Sequence, residues 1–434
     1  MALFGPRATG DFVTDQRPKN WREGILRIYP NGDMPLTGLT AKMKSESTDD
    51  PEFNWWTKAL PVQGGAVTTV YTDALLASAY TSGAVAGTML YLKVPLATAE
   101  HFRPGHQALL RDESDLTVDV VAKVLDVQKN GAASVITVKL LEADDNSSSG
   151  DLSDCDRILV IGNINPEMGA MPDAIAYDPT KYYNYTQIFR TPLEISRTAK
   201  KTRLRTGDAY REAKRETLEL HGIEIEKALI WGIMTEGVGD NGKPERTTHG
   251  LINFIKSNTA AGAIVTDFTT ETDTAFTDKY WVDAGEEWLD YYLEQVFRHG
   301  GAERDAFCGS GVILALNKLV KNNANYQVRS GEKRYGMAVT EFETPFGIIY
   351  FKRHPLFSYE ATDRNTLVIF DGDDIKYRYI TDTTFFGEGE KQNTGKTRYD
   401  GTAEEYLTEA GLEFHFPQKC AIMTGFGQTN GTPS

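Results

Sequence analysis

An α+β fold is what this 434-residue sequence predicts, on three observations. Strand patterns crowd the stretch before residue 165. One long, ionic helix pattern then runs from Arg205 to Gly232. After two further amphipathic helices the chain returns to strands. Strand and helix periods are segregated rather than alternating, which sets the chain apart from a parallel βαβ arrangement.

Residues 1–55 are irregular, with Pro, Gly, Asn and Asp recurring as in Tyr29–Gly38. Over residues 1–60 eight Lys or Arg balance eight Asp or Glu, so this is no basic tail. Apolar anchors punctuate it: Phe12, Trp21, Ile25, Leu26, Ile28, Leu36 and Leu39. A disordered leader lacks such anchors, so the segment reads as an extended arm lying on another surface.

Ordered structure begins at Phe53–Leu60, and from about Thr68 the chain is β-rich. Thr88–Leu96 is dense in strand formers. Phe102–Asp112 has a Pro-Gly turn and then a short strand, and Leu116–Val127 is Val-rich. Asn130–Ala143 opens on an Asn-Gly turn between two strand patterns, a strong hairpin signal. Leu141–Asp156 carries six acidic residues and no basic one, as expected of an exposed tip. Arg157–Asn163 reads as a buried strand. Residues 84–165 together read as a compact β module.

Tyr182–Gly207 leads into the long helix. Between Arg190 and Arg215 nine Lys or Arg stand against three Asp or Glu. This basic stretch reads as a solvated face, or a partner for acidic loops of another subunit, rather than a DNA site. The helix is expected to start at Asp208, at the positive end of its dipole. Glu212/Arg215 and Glu224/Lys227 support it locally. Leu220, Ile223, Ile230 and Met234 line one side, with Leu218, Ile225 and Leu229 beside them, so the first half should be wetter than the second. At this length it is a rod of ~42 Å.

Asp278–Gly301 is strongly amphipathic, with Trp281, Ala284, Trp288, Tyr292 and Val296 on one face and Gly300 at the C-terminal end. Ser310–Asn323 repeats Val312, Ile313, Leu316, Leu319 and Val320 at the helical period. Strand patterns close the chain: Phe346–His354, Asn365–Phe370, Asp374–Ile380, Leu412–Phe416 and Cys420–Phe426.

The formal charge of −15 argues against a dedicated nucleic-acid reader, which needs clustered cations. It suits a surface that lies near DNA without gripping it. No apolar run reaches the ~20 residues of a membrane helix. Asp11 and Asp15 stand where a signal peptide would be apolar. Cys155, Cys308 and Cys420 are too few and too scattered for a disulfide framework or a Cys-rich zinc site.

Gly237–Pro244 (GVGDNGKP) fits both a dinucleotide Gly pattern and most of a phosphate loop, but Pro244 stands where a magnesium-binding Ser or Thr belongs. The segment also follows a helix instead of opening one, so it reads as a loop. His101, His106, His221, His249, His299, His354 and His415 show no metal spacing. Cys308–Val312 lacks the nucleophile-elbow spacing. Asp371–Ile375 lacks the rest of a calcium loop and reads as a turn. Glu286 and Glu287 are adjacent on a helix and diverge by about 100°. Glu404 and Glu405 are adjacent in a segment without a clear period. No catalytic, cofactor-binding or metal residue is assigned, and no enzyme activity or cofactor is expected.

The order of elements resembles the major capsid proteins of tailed bacteriophages, the Hong Kong 97 fold. Pro35–Ser47 before Phe53–Lys58 is similar to the family's N-arm. Ile161–Gly169 followed by Asn184–Thr202 is similar to the return of its E-loop into the spine helix. Thr344–Phe357, then Arg364–Ile380, resemble its late strands, and Glu404–Phe426 its closing peripheral strands. The resemblance implies an N-terminal arm over 1–55 and an E-loop region over 56–185 that carries the β module at about 84–165. It further implies a peripheral spine helix over 186–235, an axial domain over 236–363 and returning strands over 364–434. The module departs from the plain hairpin of simple family members.

Implied with it are self-assembly into pentamers and hexamers, an icosahedral shell around double-stranded DNA, and location in the virion after assembly in the host cytoplasm. Partners would be the chain itself, with a scaffolding protein, portal and decoration protein as further candidates, and no membrane. The alternatives are an encapsulin-like shell protein, a β-rich phage tail or binding protein using 84–165, and an enzyme whose site has no linear motif.

Overall fold

The computed structural model describes residues 45–58, 62–113, 119–144, 152–169, 171–202, 208–322, 328–334, 337–359, 361–387 and 401–431. The arm expected over 1–55 lies outside the described residues as far as Lys44. Two compact units make up the chain, one of Met1–Thr57 with Lys181–Ser434, the other of Lys58–Thr180.

The first unit opens with β1 (Ser45–Ser47) and β2 (Glu52–Thr57). The second unit then contains β3 (Gly64–Ala66), β4 (Thr69–Tyr71), β5 (Met89–Val94), α1 (Leu96–Ala99), β6 (His106–Arg111), β7 (Asp119–Gln128), β8 (Ser134–Leu140) and β9 (Arg157–Asn163). Its strands form one antiparallel sheet in the order β3-β9-β6-β7-β8-β5-β4.

The two edges of that sheet are consecutive in sequence. Only Val67 and Thr68 separate them, and these donate to Asp156 O at 2.7 Å and Lys93 O at 2.8 Å, one on each side. The sheet therefore closes on itself as a small barrel, which leaves no edge to pair with another chain. Alternate residues point inward and fill it: Val70, Leu90, Leu92, Val94, Ala108, Leu110, Ala122, Val124, Ile136, Val138 and Ile158 are buried. These side chains form one buried apolar cluster inside the sheet.

Two sequence expectations are corrected here. The sheet starts at Gly64, upstream of position 84, because β3 and β4 are too short to show an alternation. The hairpin expected at Asn130–Gly131 joins β7 to β8, its turn extended through Gly131–Ala133 and held by Ser134 Oγ, which accepts from Asn130 N at 2.9 Å and donates to Gly131 O at 2.8 Å. The acidic tip is anchored at its base: Asp144 and Leu152 are buried. Tyr80 Oη and Leu152 N both donate to the Asp144 carboxylate. Residues 145–151 lie outside the described residues.

The first unit resumes with β10 (Thr180–Tyr185), β11 (Gln187–Ser196), α2 (Arg197–Lys201), α3 (Ala209–Trp231), β12 (Thr235–Val238), β13 (Pro244–Thr247), α4 (Leu251–Ser257), β14 (Ile264–Asp267), α5 (Trp281–Phe297), β15 (Glu303–Cys308) and α6 (Ser310–Asn322). It ends with β16 (Val328–Arg334), β17 (Met337–Thr344), β18 (Gly347–Arg353), α7 (Pro355–Tyr359), β19 (Leu367–Phe370), β20 (Ile375–Phe386), β21 (Gly401–Phe414) and β22 (Ala421–Thr424). A seven-stranded mixed sheet runs β14-β22-β19-β15-β18-β17-β16, and a four-stranded sheet runs β1-β20-β21-β11.

The central strands β15, β19 and β22 are buried on both faces, which is why β19 (LVIF) reads as a continuous apolar run. Ala306, Cys308, Leu367 and Ile369 point to the side of α5 and α6, where Trp281, Trp288, Leu293, Val312 and Leu316 pack. Phe307, Val368, Phe370 and Ile422 point the other way, into a core shared with α3 and α4. The helix faces read from the sequence for α5 and α6 are those the structure buries, apart from Val320, whose side chain is not described. None of the described helices is long and apolar enough to cross a membrane.

Candidate functional site

The long helix is where the sequence spends its charge. α3 begins where Asp208 Oδ1 accepts from Tyr210 N at 2.9 Å, a side-chain cap at the positive end of the dipole. It stops at Gly232, where a Cβ would lie 2.3 Å from Ala228 O and 2.6 Å from Thr248 O. The Asn253 amide then donates to Trp231 O at 2.7 Å and Gly232 O at 2.8 Å, closing the last turn. Its 23 residues span about 35 Å, against the ~42 Å expected of Arg205–Gly232; residues 203–207 lie outside the described residues.

α3 lies on β11 and β21, and β21 presents a different chemistry to each half of it. Successive even residues of a strand share a face. At the start of β21 these are polar. Thr402 accepts from Lys200 Nζ at 3.2 Å, and Glu404 accepts from Tyr210 Oη at 2.6 Å. Tyr406 packs beside the His221 ring, with centroids 6.0 Å apart. Thr408 Oγ1 lies 2.8 Å from His221 Nε2. Lys214 Nζ sits 3.4 Å from the centroid of Phe385 on β20. Farther along, Ala410, Leu412 and Phe414 are apolar and buried, and Leu412 and Phe414 share a core with Ile225, Leu229 and Ile230. The first half of the rod is thus held by polar bonds and the second by an apolar core.

This arrangement corrects one expectation. Leu218 and Leu220 are about half exposed, whereas Thr217, His221 and Glu226 are buried. Polar side chains can take the inner face because each is satisfied there, which removes the cost of burying them.

His221 fixes the polar half. Thr191 Oγ1 donates its one proton to Glu224 at 3.1 Å, so His221 Nδ1–H donates to Thr191 at 2.9 Å. Nε2 then accepts from Thr408, which in turn accepts from Thr383 at 2.9 Å. This tautomer is assigned from the bonding pattern. Burial holds the imidazole below its ordinary value near 6.5, against a smaller upward pull from Glu224. The unfolded chain therefore binds the proton more readily. Stability should fall as pH drops from about 6.5 towards the folded-state value, then level off. Replacing His221 with Asn should flatten that part of the stability–pH curve, as followed by urea unfolding between pH 7.5 and 4.5.

A second polar bond locks the apolar half. Glu226 Oε1 meets His354 Nε2 at 2.8 Å, and both side chains are fully buried. His354 Nδ1 accepts from Leu356 N at 3.2 Å, so Nε2 carries the proton directed at Glu226. This ties α3 to the start of α7.

The motifs examined in the sequence do not converge. Gly237–Pro244 is the turn of the β12–β13 hairpin, not a loop into coil: Gly239 N donates to Lys243 O at 2.9 Å. No helix follows to aim N–H groups at a phosphate. A cleft of about 420 Å³ lies beside it, rimmed by Ile188, Lys243, Arg246 and Glu409. Cys308–Val312 joins β15 to α6, and burial pushes the Cys308 thiol up to about 12. Asp371 and Asp374 receive Lys419 Nζ at 3.2 and 2.6 Å. Glu404 and Glu405 fall on opposite faces of β21, where Glu405 takes a bidentate bond from Arg190. Of the other histidines, His106 Nε2 accepts from Arg103 at 3.0 Å and His415 pairs with Glu413 at 2.6 Å. Among the described residues no group of three or more His, Cys, Asp or Glu could hold a metal ion.

A family model described as SU10 major capsid protein matches residues 8–427. This chain belongs to that family of phage major capsid proteins. A major capsid protein of Pseudomonas phage PaMx41 is 25% identical over 420 residues, covering 94% of this chain and 92% of the relative. Among solved structures, the capsid of a native GTA particle aligns over 96% of this chain and 97% of its own, at 9% identity and a TM-score of 0.40. The SrpI encapsulin of Synechococcus elongatus PCC 7942 aligns over 59% of this chain and 79% of its own, at 12% identity and a TM-score of 0.37. The assignment rests on the family match.

In a capsid protein the functional site is the surface through which copies meet, and chemistry at one point is not required of it. The family membership makes self-association into a shell the role of the chain. The interior described above is what holds that surface rigid.

Proposed function

We propose that this capsid protein forms pentamers and hexamers that close into an icosahedral head around double-stranded DNA, with the Hong Kong 97 arrangement of its parts. In this reading residues 1–55 are the arm, 56–185 the E-loop region with its barrel, 186–235 the spine helix region, 236–363 the axial domain and 364–434 the returning strands. The protein catalyses no reaction. It resides in the virion shell after assembly in the host cytoplasm, with a scaffolding protein and a portal as further partners.

The observation that carries the reading is the family match over 8–427. The structure supports it in kind. A strut of 23 residues is clamped by a core at one end and by directional polar bonds at the other. Such a part transmits shape without a catalytic cleft. The net charge of −15 suits a wall that faces packaged DNA without binding it tightly. The phage reading is favoured over a compartment protein because the relative aligned over nearly the whole chain is a phage protein.

Light scattering of the purified protein over a hundredfold concentration range, with and without a scaffolding partner, tests this. Capsomer-sized and shell-sized species are expected. A monomer under every condition would contradict the proposal.

A further inference from the structure

The ribbon formed by β2 and β10 has one buried side and one bare side. Thr186 N donates to Pro51 O at 2.8 Å, and the Trp55 and Tyr182 rings stack 6.2 Å apart. The strands are therefore antiparallel, with position 52 opposite 185, 54 opposite 183 and 56 opposite 181. Successive residues of a strand alternate between faces. Phe53, Trp55 and Asn184 are buried on the inner side, where Asn184 Nδ2 donates to Leu412 O at 2.7 Å. The other side carries Glu52, Asn54 and Trp56 from β2 with Lys181, Tyr183 and Tyr185 from β10. Trp56 is 60% exposed and Tyr183 44%, and the Tyr183 and Tyr185 rings lie 5.9 Å apart. Among the described residues Lys181 has no ion-pair partner. Residues 52–57 and 181–185 all belong to the first unit.

This face is complementary to itself. A two-fold axis parallel to the strands lays β2 of one copy over β10 of the other. Trp56 then meets the partner's Lys181 and Asn54 meets the partner's Tyr183, and the symmetry makes each pair occur twice. An ammonium is attracted to an indole face, more strongly out of water, and a phenol bonds an amide. Aligned sheets pack face to face in this way, about 10 Å apart. A face of mixed sign and exposed rings matches a copy of itself better than a partner of one charge. Its area is small, about 20 Å by 10 Å, below what a stable dimer needs. The contact is weak alone and holds where many copies act together.

We infer that the bare face of the β2–β10 ribbon is an isologous contact, joining one copy of the chain to a second across a two-fold axis. This rests on the self-assembly reading above and adds a surface to it. Rings of five or six close through head-to-tail contacts. A two-fold face serves a different purpose, which is to join one ring to the next.

The test uses the full-length protein. Trp56→Lys sets one ammonium against another, so it should raise the concentration needed for assembly roughly tenfold or more. The melting temperature of the subunit should not move, because the side chain is exposed. Adding Lys181→Trp to the same chain restores a ring against an ammonium and should bring assembly back to within about threefold of the original. Crosslinking tests the geometry. The native cysteines are buried, so Asn54→Cys and Tyr183→Cys can be labelled selectively. In shells of mixed subunits a short bismaleimide should join an Asn54→Cys chain to a Tyr183→Cys chain in preference to two of either kind. The inference is overturned if Trp56→Lys assembles like the original, if the double change stays as defective as the single one, or if shells form without the mixed product. It is also overturned if Asn54→Cys resists maleimide in unassembled subunits, which would show that residues 1–44 of the same chain already cover the face. Failure of the unmodified protein to assemble would instead overturn the shell reading and this contact with it.

Discussion

Replacing Glu226 with alanine should destabilise the first unit by about 3–5 kcal/mol, the usual cost of stranding one member of a buried polar or ionic pair. His354 would keep its Nε2 proton with no acceptor, in a site where neither side chain touches water. The loss should fall on the joint between α3 and α7, which this bond ties together. Glu226→Gln separates bonding from bulk. Its amide oxygen can still accept from His354, so it should retain most of the stability that alanine loses. Urea unfolding followed by tryptophan fluorescence reports this cleanly. All six tryptophans, Trp21, Trp55, Trp56, Trp231, Trp281 and Trp288, lie outside residues 58–180, so the barrel is silent. Equal loss in the alanine and glutamine variants would show that the hydrogen bond is not what matters.

Arg304→Ala is the second large effect, again about 3–5 kcal/mol. The guanidinium is fully buried and holds the connection from α5 to β15. It donates to Gly301 O at 2.9 Å, to Glu303 O at 2.8 Å and to His299 O, and stands 3.6 Å from Asp371. Removing it strands those carbonyls and leaves Asp371 to Lys419 alone. Arg304→Lys should not rescue, because an ammonium cannot span several acceptors as the planar fork does. The same fluorescence assay checks both variants. A lysine variant as stable as the original would refute this role in holding the connection.

These two groups also show where the sequence is legible and where it is not. α5 and α6 announce themselves because their buried faces are apolar at every turn, so hydropathy and geometry carry the same message. The strands of the barrel are legible for the same reason, except β3 and β4, whose three residues cannot display a period. α3 is legible as a helix but not in its orientation. Its inner face holds Thr217, His221 and Glu226 while Leu218 and Leu220 look outward, and the partners that make His221 and Glu226 tolerable there, Thr191, Thr408 and His354, are 30 to 187 residues away in sequence. Long-range polar satisfaction leaves no local trace. β14, β15 and α4 give weak local signals because each is short and mixes apolar with polar residues. β21 was only partly read, since Glu404 and Glu405 break its pattern; one serves Tyr210 and the other Arg190, on opposite faces.

Among the described residues the motifs that the sequence offers fall on a hairpin turn, a strand end and ion pairs. Rigidity is the property built up instead: a closed barrel, a sheet buried on both faces, and a helix fastened by two kinds of contact. A part made rigid in this way works by repetition.

Electron microscopy of the purified protein, alone and with a scaffolding partner, is the most direct test of that claim. Closed shells of uniform diameter, built from five- and six-membered rings, are the predicted result. Isolated subunits or amorphous aggregates in every preparation, from protein that is demonstrably folded, would contradict it.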